Sequence, residues 1–464
     1  MTSFFFVDRS SSLARIGSAM ALVLGLAIPG CNTASDKLLG VTDPDVINPD
    51  DIKTAEAAVA VANGALNTFR NTTGGAESTW LFGGLLADEW STSSTFIEND
   101  ETDQRRVREQ NLSVTTMIRN LYRVRTRANN AIAALNAYSN TSRALIGEMY
   151  FVRGYAELQM ANDFCNGIPI GNTNALPPEN GTPLTTAQVF ALAAASLDSA
   201  ISYATGTDAQ SVLINRSSKV ARARVALAVA DFTGAAAFVS GLPTAFAYQH
   251  TFSLTTGTNT LWGQGLSSRR YSVGDSVEGN ARNIRVLNAI PFASSRDVRL
   301  PTTIPTTGAI NGQDGQTYTR TTTVYGQLTS IDVASGLDAR LIEAEVALRG
   351  GNNTLWLSTL NALRAAPPKL GDITPAVLPA LVDPGTADAR LSLMFREKAF
   401  WTFSRGQRLG DMRRLIRQYG RTEANTFAQG VHYKGGIYGT DVNLPVVTDE
   451  RNNPNFKGCT DRNP

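Results

Sequence analysis

A mainly α-helical fold is what this sequence predicts, and three observations carry the expectation. First, two stretches repeat one pattern of an alanine-rich run, a short turn and a second helical run. One covers Ser217 to Phe238 and turns at Asp231-Phe232-Thr233-Gly234; the other covers Asp338 to Arg364 and turns at Gly350-Gly351-Asn352. Second, two long runs with helically spaced apolar residues, Thr115 to Tyr138 and about Ser142 to Phe164, follow one another directly. Third, Arg390 to Gly420 places Leu391, Met394, Phe395, Ala399, Phe400 and Phe403 at roughly helical spacing. After Gly406 and Gly410 the pattern resumes, with Met412, Leu415 and Ile416 on one side and Arg413, Arg414 and Arg417 on the other. An apolar stripe of this kind predicts a core helix pair with a solvated basic face. Gly406 is a suitable helix stop, because glycine accepts the left-handed conformation that ends helices.

The chain has 464 residues, 42% of them hydrophobic, enough for one large domain or two intimate ones. Lys+Arg number 42 and Asp+Glu 40, so no field favours nucleic acid as a partner. The two histidines, His250 and His432, have no partner at metal-ligand spacing and are expected to be ordinary hydrogen-bonded or surface residues. Three cysteines without a CxxC pair give no zinc or redox motif. The chain carries no G-x-S-x-G elbow, HExxH, P-loop or GxGxxG context, so no catalytic residue, cofactor or metal is assigned and an enzyme is not expected.

Arg9 and Arg15 precede an almost unbroken small and apolar run from Ile16 to Ile28, which ends in Ile28-Pro29-Gly30-Cys31. The run is too short to span a bilayer comfortably and suits an export signal. A small residue before a cysteine at the end of such a run resembles the bacterial lipobox. Cleavage before Cys31 would leave that cysteine to carry the lipid, each buried methylene contributing about 0.8 kcal/mol of membrane affinity. Asn32 to Asp50 is polar, holds Pro44 and Pro49, and looks like a tether. The expected layout is a signal peptide over 1–30, a tether over 31–50 and a helical-repeat N-terminal half over 51–240. A loop-rich insertion over 241–331 follows, then C-terminal helices and tail over 332–464 of the same domain.

Asp50-Asp51 can cap a helix over Ile52 to Phe69, with a turn at Asn71 to Gly75. Trp80 to Leu86 leads to Asp88-Glu89, adjacent acids of the kind that are usually solvated or capping. Thr185 to Ala204 continues the helical pattern. Gly241 to Ile331 is rich in Thr, Gly and Ser, alternates at Tyr318-Thr319-Arg320-Thr321-Thr322-Thr323-Val324-Tyr325, and carries turn signals at Asn311-Gly312 and Asp314-Gly315. Loops and short strands laid on a rigid helical scaffold are where binding residues concentrate.

Several segments, taken in order, resemble one family. Glu397-Lys398, Gly406-Gln407-Arg408 and Asp411-Met412-Arg413-Arg414 match the "ER…EG-x-R…DLRR" pattern near the C-terminus of the SusD/RagB proteins. Trp401 and Arg405 stand where that family usually has Glu. Tyr122, Asn129 and Leu135 match its "Y…aN…l" helix. Phe151, Arg153, Tyr155, Leu158, Phe164, Pro169 and Ile170 match the "FLRA-x-x-Y…L…FG-x-x-P" segment, with Gly147 where a small residue packs on a neighbouring helix. Leu444-Pro445-Val446 and Glu450 to Phe456 resemble the closing "PIP…E…NPNL", and the chain departs from it at Lys457-Gly458-Cys459-Thr460.

The resemblance implies a SusD-like fold of tetratricopeptide-like helix pairs with an irregular loop and short-strand insertion. It implies an outer-membrane, lipid-anchored lipoprotein facing outward from the cell, which captures oligosaccharide or peptide and delivers it to a SusC-type TonB-dependent transporter. The alternative is a helical-repeat scaffold that binds only protein partners. Outside the cell, Cys165 and Cys459 are expected either to form a disulfide, pinning the tail to the fourth predicted helix, or to stay as two buried thiols. Sugar recognition needs flat aromatic faces and hydrogen-bonding neighbours. The candidates are Trp80, Trp90, Trp262, Tyr271, Tyr318 and Tyr325, with Asn259, Gln264, Arg269 and Asp275 beside them. Trp356 and Trp401, on predicted helices, are assigned to the core.

Overall fold

The long helices start where the sequence supplies a side-chain oxygen to cap them. Thr54, Ser78, Asn111, Ser142, Asp208 and Asp231 each accept a hydrogen bond from a first-turn amide. Thr185 goes further and forms a reciprocal capping box with Gln188. The protein is described by a computed structural model covering residues 52–138, 142–171, 179–278, 283–305, 312–446 and 448–464. The expected signal peptide, the tether, the Asp50-Asp51 cap and the lipidated Cys31 lie outside the described residues. From Thr54 to Pro464 the chain forms one unit.

The helices are α1 (Ala55–Gly74), α2 (Thr79–Ala87), α3 (Ile97–Asp103), α4 (Leu112–Asn136), α5 (Arg143–Asp163), α6 (Thr186–Tyr203), α7 (Ala209–Ala228), α8 (Phe232–Val239), α9 (Gly336–Arg349), α10 (Asn353–Ala365), α11 (Ala387–Trp401) and α12 (Arg408–Tyr419). Helix α1 runs through the expected Asn71 turn, because Thr72 and Thr73 donate back to Thr68 and Phe69 and are buried. From α4 to α10 each helix packs on the next, and α1 packs on α4. This is the stacking logic of helical repeats, in which an apolar face is covered only by its neighbour.

Small residues set the helix spacing. A Cβ on Gly154 of α5 would stand 2.7 Å from Leu197 Cγ of α6, and one on Gly147 would stand 3.1 Å from the Ala200 carbonyl. Gly154→Val is therefore expected to force α5 and α6 apart and to cost about 1–3 kcal/mol, read as a lowered urea midpoint. An unchanged midpoint would show that the pair has slack.

Helices α8 and α9 pack on each other although residues 240–335 lie between them in sequence. Among its described residues, that intervening stretch holds short antiparallel strand pairs and one helical turn. Strand β1 (Trp90–Thr92) pairs with β5 (Tyr271–Val273), and β4 (Ala247–His250) with β10 (Ile331–Ser335), whose register shifts between Asp332 and Ala334. Between α5 and α6, β2 (Ile168–Pro169) pairs with β3 (Pro183–Leu184); β6 (Val277–Glu278) pairs with β7 (Ile284–Arg285), and β8 (Thr302–Thr303) with β9 (Thr321–Thr322). After α12 the chain returns across the helical stack. Cys165 and Cys459 are joined by a disulfide, and Asn166 bonds Asp461 beside it.

Helix α2 is buried at every position, as its uniformly apolar sequence requires. Helices α11 and α12 and the turn between them correct most of the expected solvated basic face: Arg417 is exposed as expected, but Lys398, Arg405, Arg408, Arg413 and Arg414 are all buried. Each has acceptors brought from far along the chain. Arg408 grips both oxygens of Asp88, at 2.9 and 3.0 Å. Arg405 bonds Asp338 at 2.6 Å, and Lys398 bonds Glu345 and Asp411, both at 2.8 Å. Glu397 joins Arg299 and Arg364 at 2.8 and 2.9 Å. Asp88 and Glu89 are likewise interior rather than solvated. The charged residues of the Glu397–Arg414 segment that resembles the SusD/RagB pattern are thus wired into the core. Trp356 and Trp401 are buried, Trp401 under the Arg299 guanidinium.

Candidate ligand-binding site

Folding separates the six candidate aromatics into two sets. Trp80, Trp90, Tyr271 and Tyr325 are interior, and this corrects their expected place on the binding surface. Trp80 lies in α2 and packs against His250 with its ring tilted, ring centroids 5.5 Å apart. No side chain fits at Gly406, whose φ is +64°, because its Cβ would stand 2.1 Å from the Trp80 ring. Trp90 donates through Nε1 to Ser404 Oγ at 2.9 Å and packs on Phe403. Tyr271 packs edge-on against Trp90, and the Tyr325 hydroxyl donates to the Phe403 carbonyl at 2.8 Å. Large rings bury more apolar area than any other side chain, so near a core they are drawn inward.

Trp262 and Tyr318 are half-buried. Trp262 ends the short helical turn Thr260–Trp262, which Asn259, itself buried, caps. Asp275 is also buried and accepts from the Ser294 amide and hydroxyl at 2.8 and 2.7 Å. Arg269 is exposed and Gln264 half-buried. His250 is buried and lies 2.6 Å from Thr73 Oγ1; burial pushes its imidazole down to about 3.

Of the six, Tyr318 alone lines a groove of about 140 Å³ formed by β1, β5 and β6 together with Ile304, Pro305 and the segment from Thr317 to Arg320. Arg320 and Glu278 line its wall, with Ser91, Thr92, Ser272, Asn283 and Tyr433 around it. Arg320 Nη2 reaches both Glu278 oxygens at 2.6 Å, and its Nε donates to the Val273 carbonyl at 2.7 Å. Burial pushes Glu278 above the usual carboxylate range, and Arg320 only partly offsets that. Tyr433 donates to the Thr92 carbonyl and to Asp103 Oδ2, both at 2.6 Å. The wall is a neutral, internally paired polar surface beside an aromatic ring. Arrangements of this kind suit an uncharged polyhydroxylated ligand, whose hydroxyls need fixed donors and acceptors and whose ring needs a flat apolar face.

The alternating run places Tyr318 and Arg320 on one side of an extended segment, so Arg320 was within reach of sequence reasoning. Glu278, Asn283 and Tyr433 carry no such local signal. A larger open groove of about 710 Å³ lies between β4, β10 and residues 366–372, lined by Gln249, Asp332, Lys369 and Asp372. Its aromatic residue, Phe246, is buried. Among the described residues no group of three His, Cys, Asp or Glu is placed to hold a metal ion. No described helix is long and apolar enough to cross a membrane.

Among known proteins, no family model matches this chain, and no curated protein does. Solved structures do match over most of its length. A SusD superfamily protein from Bacteroides vulgatus superposes with a TM-score of 0.59 at 14% identity, over 88% of this chain and 99% of that one. The surface glycan-binding protein A from Bacteroides uniformis gives 0.60 at 13% identity, over 88% and 99%. A laminarin-binding SusD-like protein gives 0.54 at 14% identity, over 87% and 99%. The fold is SusD-like. The SusD-like fold accounts for the mainly helical architecture with few, short strands. The Tyr318 groove lies among the short strands and irregular segments that this helical scaffold carries.

Proposed function

We propose that this protein is a non-enzymatic glycan-binding lipoprotein, anchored through Cys31 in the outer membrane, which captures oligosaccharide at the Tyr318 groove and hands it to a SusC-type TonB-dependent transporter. The observation that carries the reading is a SusD-like fold shared along almost the whole described chain with proteins named for binding glycan and laminarin. The groove supports it, because Tyr318, Asn283, Ser91 and the Arg320–Glu278 pair supply the face and the polar partners a sugar ring needs.

Calorimetric titration with panels of neutral glycans and of peptides tests it. At least one glycan is expected to bind, and Tyr318→Ala to weaken it about tenfold or more, since stacking on an aromatic ring contributes on the order of 1 kcal/mol beyond buried area. Heat from no glycan, with capture of protein partners retained, would move the reading to a scaffold that binds only proteins. Binding of peptides alone would keep the uptake role and change the ligand class.

A further inference from the structure

Lys434 lies beside the groove in the turn that follows Tyr433. Its ammonium is enclosed by the Ser94 carbonyl at 2.7 Å, Asp100 Oδ1 at 2.8 Å and Asp314 Oδ2 at 3.1 Å. The three oxygens come from separate places, namely the segment after β1, helix α3 and the 312–317 turn. Without a cation between them, the two carboxylates would face each other at close range and repel.

The contact continues toward the ligand site. Asp314 Oδ1 accepts from the amides of Gln316 and Thr317, at 2.9 and 2.8 Å, and from the Thr317 hydroxyl at 2.9 Å. The Asp314 amide donates to the Ser93 carbonyl at 3.1 Å. Thr317 and Tyr318 are the next residues, and both line the groove. Burial pushes Asp314 up, but the amides of Thr317 and Gln316 and the Lys434 ammonium outweigh it and hold the carboxylate low. On the other side Tyr433 ties the same turn to Thr92 and Asp103.

We propose that Lys434 is a positioning residue for the groove: a tethered cation that takes the place a bound metal ion would fill and, through Asp314 and Thr317, holds Tyr318 in its working position. The role in ligand capture rests on the reading of the groove given above; the latch itself does not.

Hydrogen exchange followed by mass spectrometry tests the latch without any ligand. In Lys434→Met the 312–320 peptide is expected to exchange about tenfold faster or more than in the parent protein, with peptides from α7 unchanged, because a charge-assisted tie has been removed from one local unit. Millimolar calcium added alone is expected to restore protection in Lys434→Met and to do nothing to the parent protein. Unchanged exchange at 312–320 would overturn the latch, and a failure of calcium to restore it would overturn the idea that Lys434 replaces a metal ion. Should Lys434→Met lose protection along the whole chain, Asp100→Asn decides, local acceleration at 312–320 supporting the latch and parent-like rates overturning it. A parent protein that binds no glycan would remove the proposed function and leave these exchange results standing. If the parent does bind, the Lys434→Met affinity is expected to fall about tenfold, with calcium recovering it.

Discussion

Glu345→Gln is expected to remove about 3–5 kcal/mol of stability, the cost typical of breaking a buried ion pair by deleting one charge. Glu345 is buried in α9 and accepts from Lys398 at 2.8 Å, from Arg414 and from the Tyr419 hydroxyl at 2.7 Å. Without its charge, Lys398 and Arg414 would share only Asp411, at 2.8 and 3.0 Å, leaving one buried positive charge uncompensated. Domains of this kind have about 5–15 kcal/mol in all, so the variant should sit near the edge of folding. Urea unfolding followed by fluorescence of the buried Trp356 and Trp401 measures it. Glu345→Gln combined with Lys398→Met should recover much of the loss, because charge balance returns. A loss below about 1 kcal/mol would mean that the cavity relaxes or admits water and that the network is not a stability element.

The pH dependence follows in sign. Burial alone would raise Glu345, yet Arg414 and Lys398 outweigh it and hold it well below its ordinary value of 4.5. A depressed folded value contributes stability above the unfolded one, lost as pH falls through the folded one. The gap between parent and variant should therefore be constant at neutral pH and shrink below 4.5.

Glu89→Gln is expected to act in the opposite direction and stabilise the protein in alkali. Burial pushes Glu89 up to about 8, against the Ser404 amide and Arg408, with Asp88 adding to the rise. Arg408 is already committed to both oxygens of Asp88, so Glu89 has no cation of its own. Between its ordinary 4.5 and about 8 the unfolded chain releases the proton while the folded one keeps it, so stability falls as pH rises through that window and then levels off. Asp163, raised by burial to about 7, adds a slope of the same sign. Glutamine keeps the shape, stays neutral and still accepts from the Ser404 amide, which reaches Glu89 Oε1 at 2.9 Å. The variant should match the parent at pH 4.5 and exceed it at pH 8.5, on the order of 4 kcal/mol. Melting temperature against pH for both proteins reads this out. A variant less stable than the parent at pH 8.5 would show Glu89 ionised and paired with Arg408.

Much of the scaffold was legible because its causes are local. The caps at Ser142 and Thr185, the glycine turn before α10 and the small residues of α5 sit beside the helices they govern. Of the six candidate aromatics, only Tyr318 and Trp262 stay partly open to solvent, and only Tyr318 lines the groove. Periodicity and residue type mark a tryptophan as ring-bearing, but Trp80 and Trp90 became core because Gly406, Ser404 and Phe403 close over them from more than three hundred residues away. The basic residues of α12 misled in part for the same reason, since Asp88 and Glu345, the counter-charges of Arg408 and Arg414, lie far away in sequence.

By itself, then, the sequence determined the mainly helical class and the order of the helix pairs, because helix period, capping and glycine turns act over a few residues. Only the tertiary structure decided which charges are buried and paired, which aromatic rings are spent on the core, and that Tyr318, Arg320, Glu278 and Tyr433 meet in one groove. Those outcomes depend on desolvation and on partners supplied by distant segments, and neither is encoded in local spacing.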